Sequence, residues 1–362
     1  MTDKQYINTH IFLVGGGKTT IKQRIDYIDL AKGICILLVV HGHACQTFGL
    51  EDNIAVNVLG SFRMPLYFIL SGLFFKRYAG FLDFCIRKMN KLIIPFAFFY
   101  LIFSFILPCV YDAIDSVFSY ENCIHYAVGW ISGSFFNQAT WFLMALFFTN
   151  IIFYCITGLS NSNNQIKIWR VVLLSFIVGS IGVILGNEHI NIPFFIDTSM
   201  TAIPFFCTGY VLRKYTNILY PNRLDRYSSV VIMVLCLIFL IPYNYGSSIG
   251  ALISNRININ PILFYGCGIG GTLVVLLFSK AAFGLRLFVP IQYIGRYSII
   301  ILLVHQVLCK TITRYFLSFF PNDSIGVALT FIIVILLSSA CIPIFKRCIP
   351  KFTAQEDLFK LH

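Results

Sequence analysis

Residues 27–47 read YIDLAKGICILLVVHGHACQT, an apolar run with a lysine near its start and two histidines near its end. A helix needs about 20 apolar residues to cross a hydrocarbon core of about 30 Å, and this run has that length. It follows the mostly polar segment 1–26 and carries no small-residue cleavage site, so it predicts a signal anchor rather than a cleaved signal peptide. The run therefore indicates a membrane protein.

The rest of the chain repeats this pattern. Of its 362 residues, 58% are hydrophobic and 12% are charged, whereas soluble domains carry about 25% charged residues. These values exclude a soluble protein and predict an all-α integral membrane protein of about ten transmembrane helices. Apolar runs lie near 27–47, 54–75, 92–111, 140–159, 168–186, 198–212, 228–246, 260–279, 297–317 and 325–345.

Basic residues are distributed unevenly over the loops between these runs. Loops on one side, together with both termini, hold 22 Lys and Arg, and the other side holds only Arg256, Lys310 and Arg314. Because basic loops stay in the cytoplasm, both termini are predicted to be cytoplasmic. The net charge of +12 then reflects topology and not a nucleic-acid partner.

This topology divides the chain into three parts. They are a cytoplasmic tail over 1–26, a membrane domain over 27–347 and a second cytoplasmic tail over 348–362. Within the membrane domain, segment 122–136 is left open as a short re-entrant or interfacial element.

Two familiar kinds of site are excluded. The twelve cysteines include no CxxC pair and lie mostly in apolar runs, so neither a zinc site nor a secreted disulfide framework is predicted. The segment Gly15–Thr19 suggests a phosphate-binding loop, but that motif needs a glycine where Phe12 stands. We expect no metal and no tightly bound cofactor.

Ionisable side chains inside membrane spans are costly, so each is a candidate functional residue. In the first span, Lys32 and His43 are eleven residues apart, which places them on nearly the same face and about 16 Å apart along the helix. His41 lies about 160° from His43 around the helix, so the two histidines cannot face one cavity. One lining face would therefore run from Lys32, at the cytoplasmic mouth, to His43.

Two further spans bring ionisable groups to a similar depth. Arg63 lies near the middle of the second span, two residues before Pro65, which bends the helix because it cannot donate a backbone hydrogen bond. His305 lies near the middle of the ninth span. His43, Arg63 and His305 are thus predicted to lie within one or two helical turns in height. A purely structural role, as hydrogen-bonding histidines and a helix-tying arginine, remains open for each.

The same residues resemble those of acyltransferase family 3, integral-membrane enzymes that O-acylate cell-surface glycans. The family has an arginine, ten intervening residues and a histidine in its first helix, and here Lys32 replaces that arginine before His43. The stretch 62–72, FRMPLYFILSG, resembles the most recognisable family signature. Further similar elements are the basic run 87–95, Trp141-Phe142-Leu143, and Gly295-Arg296-Tyr297-Ser298 followed by His305. The resemblance is greatest to members related to fucose 4-O-acetylases and polysaccharide-modifying proteins.

The resemblance implies an O-acetyltransferase in the bacterial inner membrane, crossing it many times. It would transfer an acyl group, most often acetyl from acetyl-CoA, to a hydroxyl of a cell-surface or lipid-linked glycan. The expected partners are acyl-CoA, the glycan or glycolipid acceptor and the bilayer. A homo-oligomer is left open, as is the choice between direct transfer and a transiently acylated enzyme.

Roles for individual residues follow from that chemistry. A sugar hydroxyl is a poor nucleophile and needs a base, for which His43 is the candidate. Arg63 would polarise the thioester carbonyl or hold the developing oxyanion, and His305 is the third catalytic candidate. Cations near the cytoplasm would bind the CoA phosphates, although topology alone also predicts a basic loop there. These cations are Lys32, Arg87, Lys88 and Lys91.

A second hypothesis belongs to another class of protein. A non-catalytic exporter or flippase for a polysaccharide or glycolipid could line its pathway with the same polar residues. A proton-coupled transporter would usually need acidic residues at mid-depth, and none of the fifteen acidic residues lies well inside a predicted span. Dependence on acyl-CoA would separate the enzyme from the exporter.

Overall fold

The computed structural model describes residues 25–50, 54–103, 129, 137–162, 165–216, 233–234, 252–257, 260–316 and 323–360. Regular structure in these residues is almost entirely helical. The described strands, β1 (Asn161–Ser162) and β2 (Gln165–Ile166), form one short antiparallel pair.

The longer described helices lie on the predicted apolar runs, and three shorter helices have eight residues each. They are α1 (Asp26–Thr47), α2 (Ile54–Leu73), α3 (Phe81–Lys88), α4 (Ile94–Leu101), α5 (Trp141–Leu159), α6 (Ile168–Asn187), α7 (Ile196–Tyr215), α8 (Pro261–Ala282), α9 (Val289–Arg296), α10 (Ser298–Phe316) and α11 (Asp323–Cys348). A π-helical turn, Met89–Ile93, joins α3 to α4. Short 3₁₀ turns occupy Gln138–Thr140, Pro193–Phe195, Leu252–Ser254, Arg286–Phe288 and Pro350–Thr353.

Seven helices in the described part of the chain are long and apolar enough to cross a membrane, and the bent pair α9–α10 would make an eighth. The prediction of an all-α membrane protein is therefore confirmed. The predicted span 228–246, residues 104–111 of the predicted span 92–111, and segment 122–136 lie almost wholly outside the described residues. The count of ten spans and the cytoplasmic termini stay predictions.

The ninth predicted span, 297–317, is preceded by a sharp break that hydropathy did not indicate. The helices on either side of Tyr297 meet at 81°. On the α9 side, a Cβ added to Gly295 would overlap the backbone oxygen of Asp29 in α1, and one added to Gly33 would overlap that of Ile291. The two glycines thus let α9 pack directly on the α1 backbone.

Contacts between helix ends show that α5 and α8 run in the opposite direction to α1. At the start of α1, Tyr27 packs against Phe283, which follows α8, with ring centroids 6.3 Å apart. At the other end, Thr47 of α1, Gln138 before α5 and Lys310 of α10 line one cavity. We call the Tyr27 end the inner end and the Thr47 end the outer end, following the predicted topology.

A buried aromatic cluster fixes the inner halves of four helices. Phe75, which follows α2, contacts Phe84 of α3, Phe153 of α5 and Phe206 of α7, with centroid distances of 5.7, 5.0 and 5.9 Å. All four rings are nearly inaccessible to solvent. Large apolar rings packed in this way hold α2 in place relative to its neighbours, and so fix the position of Arg63.

Candidate active site

The structure brings the histidines of α1 and α10 into contact. The ring centroids of His43 and His305 are 5.3 Å apart and the rings are tilted by 46°. His305 is completely buried, whereas His43 is partly exposed. One histidine can therefore meet a ligand while the other supports it from the protein interior.

Hydrogen bonds define which ring nitrogen of each histidine carries the proton. Nδ1 of His43 lies 3.1 Å from the side-chain oxygen of Gln46, one turn later, and Nδ1 of His305 lies 2.9 Å from the backbone oxygen of Ile301. An amide oxygen only accepts hydrogen bonds, so both rings donate through Nδ1. Both Nε2 atoms then carry a lone pair. That of His305 is buried without a hydrogen-bond partner among the described residues.

Arg63 of α2 lies against the α1 backbone between the two histidines of that helix. A Cβ added to Gly42 would overlap its guanidinium, so the observed position of the guanidinium depends on the absence of a side chain at position 42. The charge lies close enough to interact with His41, His43 and His305. The thiol of Cys35 also donates a 2.9 Å hydrogen bond to the backbone oxygen of Arg63. Arg63 is therefore a central charge in this cluster.

The neighbouring histidine has different surroundings. His41 lies 3.7 Å from the sulfur of Cys45, and its ring meets Phe331 of α11 edge-on at a centroid distance of 6.0 Å. Because helical periodicity turns it away from His43, it faces α11 rather than His305.

A cavity of about 230 Å³ opens beside His43 at the outer end. Polar side chains predominate among the described residues that line it: His43, Gln46, Gln138, Gln306, Cys309 and Lys310. Thr47 completes this lining, and its hydroxyl donates to the backbone oxygen of Ala44. His305 and Arg63 are not part of the lining, so they reach a ligand there only through His43 or by movement.

Contacts between α10 and the chain just before α5 build one wall of this cavity. The backbone N–H of Ala139 donates to the side-chain oxygen of Gln306 at 2.6 Å, and the Asn137 amide donates to the backbone oxygen of Leu303 at 2.7 Å. Sequence reasoning missed the cavity residues Gln46, Gln138, Gln306 and Lys310. One signal was available: Gln306 and Lys310 are four residues apart and so lie on one face of their helix.

The predicted donor-binding residues lie apart from this cluster, at the inner end. The ammonium of Lys32 lies 5.7 Å from the ring centroid of Phe74, which follows α2. Lys32 belongs to α1 but does not line the outer cavity. The acidic residue one turn before it, Asp29, lies 3.7 Å from Arg296 at the end of α9.

The three cations of α3 and the π-helical turn contact aromatic rings or acids. Arg87 pairs with Asp83 at 2.6 Å, and Lys91 pairs with Asp357 of the C-terminal segment at 2.9 Å. Lys88 lies over the ring of Phe84, 5.5 Å from its centroid. Burial lowers the pKa of Lys88 to about 8, because a partly desolvated ammonium is less stable than a hydrated one.

The C-terminal segment is attached to this same region. The amide of Asn90, almost fully buried, donates to the backbone oxygen of Phe359 at 2.8 Å and accepts from the N–H groups of Leu358 and Phe359. The ring of Phe352 stacks on Phe98 of α4 with centroids 4.2 Å apart. The segment therefore packs along the inner end of α4.

A metal centre has no support among the described residues, where no three His, Cys, Asp or Glu side chains are grouped to hold an ion. The chemistry available to the described site is that of histidine, arginine, amide and lysine side chains.

The fold and the site define an integral-membrane protein of many helices with a partly buried histidine–arginine cluster beside a polar outer cavity. A family model described as an acyltransferase domain matches residues 25–345, which is most of the chain. The protein therefore belongs to acyltransferase family 3, as its sequence motifs predicted. Neither the curated proteins nor the solved structures include a significant match.

Proposed function

We propose that the protein is an O-acetyltransferase that moves an acetyl group from acetyl-CoA to a hydroxyl of a cell-surface or lipid-linked glycan. Membership of the family supports the acyltransferase class. The observation that carries the proposal is the His43–His305 pair, whose partly exposed member lines a polar cavity. The bacterial inner membrane is the proposed location.

His43 acts as the general base in this proposal. The side-chain oxygen of Gln46 accepts a hydrogen bond from the Nδ1–H of His43. The Nε2 lone pair of His43 is therefore available to a sugar hydroxyl in the cavity. As Nε2 takes the hydroxyl proton, the sugar oxygen attacks the thioester carbonyl. The carbon–sulfur bond then breaks, and the CoA sulfur leaves as a thiolate that accepts the proton from the His43 imidazolium, which restores the base. A positioned base of this kind contributes about 10²–10⁴-fold.

The other two members of the cluster, His305 and Arg63, would stabilise the charges that develop during the reaction. The buried ring of His305 lies beside that of His43, where it would stabilise the imidazolium that forms on proton transfer. Arg63 supplies a positive charge between α1 and α2 that, after a movement toward the cavity, would stabilise the oxyanion of the tetrahedral intermediate.

The donor is proposed to enter from the inner end. Lys32, Arg87, Lys88 and Lys91 would bind its phosphates. Arg87 and Lys91 already pair with acids, but about 45% of each basic side chain is exposed. Exposed pairs contribute only about 0–1 kcal/mol, so a polyanionic ligand can replace the acids. The thioester end of the bound donor would then have to extend about 16 Å along α1, the rise from Lys32 to His43, to reach the sugar hydroxyl.

Acyl transfer in vesicles tests this function. The protein is reconstituted with radiolabelled acetyl-CoA and a glycan extract, and mass spectrometry of the glycan measures the added mass. We expect an acetyl-sized increase that needs the donor and is lost in His43→Ala. An exporter would move glycan without acetyl-CoA and leave its mass unchanged, which would refute the proposal.

A further inference from the structure

We propose that the ring of Tyr78 is the surface on which the purine base of the acyl-CoA donor stacks, and that Lys76 and Arg87 bind phosphates of the same nucleotide. The inference rests on the proposed function, since it takes acyl-CoA as the donor. It adds a base-binding residue to the phosphate-binding cations proposed at the inner end.

The first observation is the exposure of an aromatic ring beside cations. The five residues that follow α2 alternate between exposed and more buried side chains. Phe75 belongs to the buried aromatic cluster, and Arg77 is partly buried. Phe74, Lys76 and Tyr78 are exposed, and the exposed fraction of Tyr78 is 38%. This short segment therefore presents two rings and a cation at the surface of the inner end.

The second observation is the backbone conformation of Tyr78. Its φ of +57° lies in the left-handed region, which glycine adopts freely and a bulky residue adopts at a cost. Contacts of both neighbouring residues hold it there. Arg77 donates to the backbone oxygen of Tyr154 in α5 at 3.2 Å, and the N–H of Ala79 donates to the Asp83 carboxylate at 3.1 Å. Strained residues fixed in this way cluster at ligand-binding sites.

The third observation is the set of cations on the Tyr78 ring. The guanidinium carbon of Arg87 lies 4.8 Å from the ring centroid, and the Lys76 ammonium lies 5.5 Å from it. Because Lys76 and Arg87 are exposed, each contact is weaker than the stacking of a base on an aromatic ring. A purine can therefore displace a cation from the ring, and that cation stays close enough to pair with a phosphate.

The acid beside these cations does not prevent this exchange. Arg87 pairs with Asp83 at 2.6 Å, but 45% of the Arg87 side chain is exposed. An exposed ion pair contributes little to stability, so a phosphate can replace the carboxylate. A nucleotide supplies both the phosphate and the ring that this group of residues complements.

The fourth observation is the position of Tyr78 relative to α1. The Lys32 ammonium lies 5.7 Å from the ring centroid of Phe74, four residues before Tyr78. Four residues of extended chain span at most about 14 Å. With its base at Tyr78, the donor would therefore direct its thioester arm past Phe74, to the start of the face that leads from Lys32 to His43.

The test is equilibrium binding to the full-length protein in nanodiscs. The probes are 3′,5′-ADP, a fragment of CoA that keeps the base, and methyl ribose 3,5-bisphosphate, which has the phosphates without a base. Tyr78→Gly removes the ring and relieves the strained φ, so folding should not be impaired. Tyr78→Phe keeps the ring. The control is Trp169→Ala at the start of α6, which removes another exposed ring that contacts a cation, Arg170.

We expect the wild type to bind 3′,5′-ADP about tenfold more tightly than methyl ribose 3,5-bisphosphate, as one stacked base allows. Tyr78→Gly should remove this preference, whereas Tyr78→Phe and Trp169→Ala should keep it. Lys76→Met should weaken the binding of both probes equally, because it removes a phosphate contact and leaves the ring.

Equal binding of the two probes by the wild type, or a preference that persists in Tyr78→Gly, would overturn the inference. So would an absence of nucleotide binding. A drop in thermal stability of Tyr78→Gly with the preference intact would assign the ring to the membrane interface instead. Acetyl transfer to a glycan extract is measured in parallel. A preference that depends on Tyr78 without acetyl transfer would support the inference and refute the proposed function.

Discussion

The outer and inner ends of the protein hold their polar residues in different ways. At the outer end, His43, His305 and Arg63 come from three helices and are largely fixed by burial, by hydrogen bonds and by the absence of a Cβ at Gly42. At the inner end, Arg87 and Lys91 are about 45% exposed and pair with acids across the surface. The polar residues of the outer end are thus preorganised, whereas the basic residues of the inner end can exchange their partners.

The difference fits two separate tasks. Acyl transfer needs groups held to within a fraction of an ångström, because displacement of about 1 Å can cost about 10²-fold in rate. Binding and releasing a polyanionic donor needs charges that can exchange partners at small cost. Substitutions at the outer end should therefore lower turnover, and those at the inner end should alter donor affinity.

The largest expected effect distinguishes the two histidines of α1. His43→Ala should lower the acetylation rate by about 10²–10⁴-fold, because it removes the proposed base. His41→Ala should keep a substantial part of the rate, since His41 contacts Cys45 and Phe331 instead of lining the cavity. Initial rates at matched protein levels measure both. An active His43→Ala with an inactive His41→Ala would show that the wrong face of α1 was assigned to catalysis.

The next effect tests the position of Arg63. Gly42→Ala should lower turnover by about 10²-fold because the new methyl group displaces the guanidinium. Since a flexible side chain can move aside, thermal stability should change little. Gly60→Ala is the control, as a Cβ at Gly60 of α2 meets nothing within 4 Å. Full activity in Gly42→Ala would mean that the observed position of Arg63 is not needed for catalysis.

A smaller effect concerns the inner end and depends on pH. With a pKa of about 8, Lys88 is mostly charged at pH 7 and mostly neutral at pH 9. If it binds a CoA phosphate, the KM for acetyl-CoA should rise about tenfold between these values, as a charged hydrogen bond is lost. Lys88→Arg should flatten this profile, because arginine keeps its charge. A KM that rises equally in both proteins would assign the change to other groups.

The smallest effect is expected at Lys91, whose ammonium already contacts Asp357 and the backbone oxygen of Ala354. Lys91→Ala should raise the KM for acetyl-CoA by no more than about fivefold, the contribution of an exposed ion pair. Turnover should stay unchanged, and Lys88→Ala should have the larger effect on KM. A Lys91→Ala protein that binds donor normally but turns over slowly would contradict a separation of tasks between the two ends.

Local physics explains what could be predicted from the sequence. Bilayer thickness and the helical rise fix the length of a span, so spans can be recognised in the sequence as apolar runs of that length. Helical periodicity likewise places His41 and His43 on different faces of α1. The depth of Arg63 and of His305 followed from their distance to the ends of their spans. The acyltransferase motifs were also readable, and the family they predicted is confirmed.

Other features depend on residues far apart in the chain. The break of 81° before α10 occurs beside the close packing of α9 on α1 at Gly33 and Gly295, and hydropathy registers neither feature. The hydrogen bond from Ala139 to Gln306 joins residues 167 positions apart, and the pair Lys91–Asp357 spans the chain from its first third to its end.

The sequence by itself determined that the protein is helical, where most of its spans lie, which residues share a helical face and to which family it belongs. Only the tertiary structure decided that His43 meets His305, that Arg63 rests on Gly42, and that polar residues of separate segments form one cavity. The reason is that spacing along a helix is a property of the backbone. Which helix faces pack together depends on the shapes of many side chains at once, and these come from distant parts of the chain.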